Sequence, residues 1–258
     1  ADTWLPEIGK TVQAQGLRVV GANAYLGIDA ILPALDEAPH LVITGRVADP
    51  SLFLAPLVHR LGWARDDWAR LGAGTAVGHL LECSMQVTGG YFADPPHKVV
   101  PNIAQLGFPL AEVAADGSAV ITKLDGTGGL VSELTVKEQL MYEVHDPAAY
   151  LTPDVVVDIT RSSVQQVGPD RVRLTGVRGH ARPDALKVNI CFESGWLAEG
   201  EISYAGPRAD ARARLAGEVL RERLHGLGPL RIDLIGVTSI FGDDTSRWLD
   251  ASAHSNDE

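Results

Sequence analysis

Two short, largely apolar runs, LRVVGA at 17–22 and LVIT at 41–44, flank the segment NAYLGIDAILPALDEAPH, whose helical spacing is interrupted at Pro33. Unalternating apolar strands separated by a helix predict a parallel βαβ unit buried on both faces. Its crossover is expected to be right-handed. After the second run, Asp49-Pro50 offers an N-cap and N1 pair for a helix carrying Leu52, Phe53, Leu57 and Leu61. A further helix is expected over about 75–87, closed by Gly89-Gly90. A proline-rich connection follows, then a strand at 117–124 and a helix at 136–144. Thr135 and Glu138 form the capping box that would open this last helix at Val136.

From about residue 154 the pattern switches to period two. One antiparallel pair should turn at Gly168-Pro169-Asp170 and a second near Ser194-Gly195. A helix at about 207–225 and a strand at 230–237 complete the series. The expected class is α/β: parallel Rossmann-like βα units over 1–150 and a second, largely antiparallel α+β domain over 151–241. The polar stretch 242–258 is expected to fray.

Composition narrows the function classes. The 258 residues are 45% hydrophobic and 21% charged, an ordinary globular balance. A formal charge of −11 and the lack of a Lys/Arg cluster argue against nucleic acid. An anionic ligand must therefore be met by a few local cations. Two cysteines, Cys83 and Cys191, with no CxxC spacing argue against a disulfide scaffold or structural zinc. No apolar run reaches membrane-spanning length, and the first residues lack a signal-peptide pattern. A cytoplasmic protein with no membrane partner and no bound cofactor is expected.

The candidate chemistry lies at three places. Beyond the carboxyl ends of the two expected parallel strands lie Asn23, Thr44, Arg46 and Asp49. Arg46 could grip a carboxylate or phosphate, while Asp49 either caps its helix or pairs with Arg46. In GHLLECSMQ, His79 and Glu82 are spaced i, i+3 and share a helix face. They form either an acid–base pair or a half-buried histidine bonded to its own glutamate. No third ligand accompanies them, so no metal is assigned. Cys83 reads as a small core residue. LDGTGGLVSEL matches neither the P-loop nor the dinucleotide fingerprint. Even so, Gly126, Gly128 and Gly129 could turn N–H groups toward an anion, with Lys123 supplying charge. The alternative is a tight turn beside a surface lysine.

The stretches ANAYLG, ITGRVADPSLFLAPLVH, GHLLECSMQVTGGYFADP, GTGGLVSELTVKEQLMYEVHDPAAYLTPDV and GEISYAGPRADARARLA, in this order, resemble the acyclic terpene utilisation AtuA family. The likeness runs from about Gly21 to Val237. It implies a cytoplasmic bacterial or fungal protein tied to catabolism of citronellol- and geraniol-type terpenes through CoA thioesters. Members usually carry further βα units ahead of the ANAYLG motif. A homo-oligomer, or a partner subunit supplying that part, is therefore expected. The resulting expectation is an enzyme acting on an acyl-CoA or carboxylate by lyase- or hydratase-like proton chemistry. In it His79 or Glu82 moves the proton, and Asn23, Thr44, Arg46, Lys123 and the three glycines hold the substrate. CoA enters only as part of that substrate. A non-catalytic binding or assembly subunit is the other reading.

Overall fold

The computed structural model describes residues 4–5 and 9–236. The chain divides into two compact units, Ala1–Glu193 and Ser194–Glu258, each described by itself.

The spine of the first unit is a helix that is apolar nearly all round. Such a helix belongs in the interior. Its predecessors in chain order are β1 (Trp4–Leu5), β2 (Lys10–Thr11), β3 (Val19–Ala24), α1 (Leu32–Asp36) and α2 (Ser51–Leu61); the spine itself is α3 (Trp68–Glu82). Asp67 caps α3 by accepting the Arg70 N–H. Every residue from Leu71 to Leu80 except Ala73 is buried. Three glycines let neighbours approach its backbone closely. A Cβ at Gly78 would meet the Pro50 carbonyl, and one at Gly74 would meet Leu54 and Trp63. One at Gly72 would strike the backbone at Arg178 and Gly179.

The strands gather around this helix in antiparallel sets. They are β4 (Pro109–Val113), β5 (Ala119–Lys123), β6 (Tyr150–Leu151), β7 (Val156–Asp158), β8 (Ser163–Gly168), β9 (Arg171–Thr175), β10 (Arg178–His180) and β11 (Val188–Phe192). A four-stranded sheet runs β4-β5-β9-β8, so strands from both sides of residue 150 share one ladder. Its inward residues Ile121, Val172 and Leu174 join Leu54, Leu71, Leu80, Val136 and Val157 in one core. A three-stranded sheet runs β10-β7-β6, and β3 pairs with β11 as a two-stranded ribbon. Helix α4 (Glu133–Met141) packs on α3, and α5 (Ala209–Arg223) belongs to the second unit.

The protein therefore mixes helix and antiparallel sheet, and the parallel Rossmann-like units are not present among the described residues. β3 forms as the apolar run implies, but its partner is β11, antiparallel, from the far end of the unit. Residues 41–44 form no strand, and Leu41 and Ile43 are 75% and 86% exposed. The only parallel pairings described are the isolated bridges Leu26–Val47 and Leu106–Gly128. An apolar run records affinity for a strand partner, not which partner it meets.

Two helix starts also differ from expectation. α3 begins at Trp68 rather than near 75, because its glycines weaken the helical pattern while Asp67 fixes the start. α4 begins at Glu133. Ser132 accepts the Thr135 N–H, and the Thr135 hydroxyl accepts the Ser132 N–H. The carboxylate of Glu138 turns instead to Lys98, 3.1 Å away. The hairpin at 168–170 and the helix near 207–225 form where the pattern placed them. The second hairpin does not, since β11 is taken by β3 and residues 201–205 form no strand. Residues 230–236 form no strand either, and the tail at 242–258 lies outside the described residues.

Candidate active site

His79 and Glu82 occupy the last turn of α3 on one face, as their spacing requires. The His79 side chain is 3% exposed and that of Glu82 11%. Nδ1 of His79 stands 3.6 Å from Oε1 of Glu82. Among the described residues neither ring nitrogen has a hydrogen-bond partner. A buried polar pair left unmatched costs about 1–3 kcal/mol and calls for an explanation.

The surroundings are aromatic and acidic. Tyr150 at the start of β6 packs its ring on His79, with centroids 5.2 Å apart. Burial pushes the Tyr150 phenol well above its ordinary range, and the charges of Glu82 and Asp49 push it further. Gln139 of α4 closes the other side, donating to the His79 carbonyl at 3.3 Å. Burial, then the neighbouring Glu82, also raises the Cys83 thiol. A thiolate nucleophile is thereby disfavoured. Toward the surface, Tyr91 and Tyr142 meet edge to face at 5.6 Å, and Glu143 raises the Tyr142 phenol. Glu82 is the less buried member of the pair.

A second group gathers on the β3–β11 ribbon. Arg46 stacks on the Tyr25 ring, 3.8 Å from its centroid, and its guanidinium lies 3.7 Å from Asp49. Asp49 does not cap α2 with its side chain; Pro50 holds the N-cap position. Asn23 sits opposite Asn189 across the ribbon. Thr44 is half-buried in the coil leading to Arg46. Asp49 of this group and Glu82 of the histidine pair both act electrostatically on Tyr150, whose ring packs on His79.

Lys123 and the glycines lie elsewhere, and their hydrogen bonds point inward. Lys123 Nζ donates to the Thr127 carbonyl at 2.9 Å and pairs with Asp170 at 3.3 Å. The N–H of Gly128 donates to Gln105, that of Gly129 to Pro101, and that of Leu130 to Thr88, all within 2.9 Å. Gly126 is exposed, with a left-handed φ of 75°. This loop is a packed connector joined to β9 through Asp170, which also accepts the Val131 N–H at 2.8 Å.

A third feature had no signal in the sequence. Two adjoining clefts of about 600 and 480 Å³ share Asp29, Asp154 and Arg182 in their walls. Asp154 is buried and accepts from the Ile28 N–H at 2.8 Å and the Ser51 hydroxyl at 2.5 Å. Burial raises its carboxyl, against the effect of those bonds. A side chain at Gly27 would overlap this carboxylate. The clefts do not include His79, so open volume and unpartnered chemistry lie apart. We give the histidine pair more weight, since both Asp154 oxygens already hold the fold.

Among the described residues no group of three His, Cys, Asp or Glu is placed to hold a metal ion, and no helix is long and apolar enough to cross a membrane. Comparison with curated proteins and with solved structures gave no match. A family model, described as acyclic terpene utilisation family protein AtuA, matches residues 5–256. That match takes in β3, α3, the glycine loop and the ribbon together, so the chain belongs to the acyclic terpene utilisation family AtuA.

Proposed function

We propose that this chain is an enzyme of acyclic terpene and branched-acid catabolism that transfers a proton on an acyl-CoA or carboxylate substrate, as a lyase or hydratase does. The observation that carries the reading is the buried His79 ring, with no hydrogen-bond partner among the described residues and its Nδ1 3.6 Å from Glu82. Glu82 is the group that meets the substrate, removing a proton next to the carbonyl or delivering one to it. His79 lies behind it, able to share the proton and hold the carboxylate in place. Burial of the pair, with the Tyr150 ring packed on His79, strengthens the interaction by excluding water. Arg46 supplies charge for the anionic end of the substrate, with Asn23 and Thr44 beside it. Lys123, Gly126, Gly128 and Gly129 support the site from outside by fixing α4.

The test is isotope exchange. Branched acyl-CoA thioesters and their free acids are incubated with the protein in D2O, and deuterium at the carbon next to the carbonyl is followed by mass spectrometry. Exchange or net turnover that depends on Glu82 supports the reading. Its complete absence across the panel would remove it and favour the assembly-subunit alternative. That alternative draws on one observation, the exposure of Val20, Leu41, Ile43 and Val188 on and near the ribbon.

A further inference from the structure

We propose that the polar face of the β3–β11 ribbon is an oxyanion-binding site of the phosphate class, built from Tyr25, Arg46, Lys187 and Asn189. The inference rests on the reading above for its place in catalysis, but it concerns binding alone.

Alternation places the residues. On a strand, every second side chain shares a face, and directly opposed residues of an antiparallel pair share it too. Asn23 opposes Asn189, which puts Asn23, Tyr25, Lys187 and Asn189 on one face, while Ala22, Ala24, Val188 and Ile190 take the other. The Tyr25 N–H donates to the Lys187 carbonyl at 2.9 Å, which continues the register to the end of the ribbon.

Two cations meet on one ring there. The guanidinium of Arg46 is 3.8 Å from the Tyr25 centroid and Lys187 Nζ is 4.7 Å from it. In a chain of net charge −11, such crowding of like charge is unfavourable without an anion to share. Among the described residues no carboxylate pairs with Lys187, and Asp49 engages Arg46 only at 3.7 Å. Stacking uses the face of the guanidinium and leaves most of its N–H edge free.

The neutral groups are also set to donate. Asn189 Nδ2 donates to the Tyr25 hydroxyl at 2.9 Å, occupying an acceptor site on that oxygen. The phenol hydrogen is left to point away, toward a ligand. Guanidinium, ammonium and phenol O–H thus gather their donors around one partly exposed ring. That set suits a phosphate or a carboxylate oxyanion, and two cations favour the more highly charged phosphate. The glycine loop, whose amides are already used, is not arranged this way.

The experiment is titration calorimetry of the 258-residue protein with inorganic phosphate and, separately, with CoA. Saturable one-to-one binding is expected, weakened roughly tenfold or more in Lys187→Gln and in Tyr25→Phe, as fits loss of a bond to a charged group. Arg65→Gln, which removes the Arg65–Asp29 ion pair but no group of the proposed site, should bind as the parent does. Circular dichroism confirms that the variants fold. Binding of CoA but not free phosphate, lost in both variants, supports the site and assigns it to a phosphorylated carrier. Binding of phosphate with CoA refused supports it and assigns a small free anion. No saturable binding of either, unchanged binding in Lys187→Gln and Tyr25→Phe, or an equal loss in Arg65→Gln would overturn the proposal. Glu82→Gln should leave phosphate binding intact. In the parent protein, intact phosphate binding with no isotope exchange would sink the proton-transfer reading alone.

Discussion

Nδ1 of His79 faces Oε1 of Glu82 across 3.6 Å at the end of a helix that is largely apolar and buried from Leu71 onward. Placing an imidazole and a carboxylate there exposes the fold to an unmatched polar cost that a leucine would not carry. If the pair moves a proton, Glu82→Gln should cut exchange or turnover by about 10²–10⁴-fold. His79→Gln should fall by a similar factor, and the double variant should fall little further, because groups that act as a unit are not additive. A double variant whose loss is the product of the two singles would mean that they act separately.

The glycine loop is expected to answer to stability rather than to ligand. Gly128 has an ordinary φ, yet a Cβ there would run into the carbonyls of Asn102 and Gln105. Gly128→Ala should cost near the upper end of about 1–3 kcal/mol, as overpacking does. Gly45→Ala, where nothing lies within 4 Å, serves as the control and should be near neutral. Urea midpoints of the two variants, read by circular dichroism, separate packing from a general intolerance of alanine.

Asp154 carries a pH signature. Burial raises its carboxyl in the folded chain, so the folded form binds the proton more tightly than the unfolded form. Its contribution is complete below the ordinary aspartate pKa and is lost as pH rises through the raised value. Exposed carboxylates with lowered values, such as Glu112, Asp116 and Glu133, act in the opposite sense, losing stability as pH falls. Subtraction isolates Asp154. Relative to Asp154→Asn, the parent should lose thermal stability on going from pH 4 to pH 8. A constant difference across that range would show that Asp154 does not titrate within it.

The reciprocal Ser132–Thr135 cap can be measured separately. Ser132→Ala removes the acceptor for the Thr135 N–H, 3.3 Å away, and should cost about 1 kcal/mol. For a chain of this size that corresponds to roughly 2–4 °C in Tm. Thr135→Ser, which keeps a hydroxyl at this buried third helical position, should retain the reciprocal bond and most of the stability.

Local signals were legible in the sequence where the partner was local. The His79–Glu82 face follows from helical spacing alone, and the turn at Gly168-Pro169-Asp170 from its residues. Strand partnership was not legible. β3 reads as half of a neighbouring parallel unit because the next apolar run is close in sequence, whereas its real partner begins at Val188. For the same reason nothing local pairs Lys187 and Asn189 with Asn23 and Arg46, although the alternation in LKVNICF marks the two as sharing a face. Lys123 looked free because the residue that neutralises it, Asp170, lies on the far side of a long excursion. Tyr150 and Asp154 carry no local motif at all; only tertiary packing brings the one onto His79 and buries the other.

The β3–β11 ribbon joins nearly the first and last residues of its unit, so its assembly is slow in the sense that sequence-distant pairings are slow. During synthesis at about 5–20 residues per second, β3 waits roughly ten seconds or longer for β11 to be made. The face carrying Tyr25 and Lys187 therefore does not exist in any chain that stops short of residue 188. Phosphate binding would then be a report on completed closure, acquired last and lost first, and usable to follow refolding without any knowledge of the reaction.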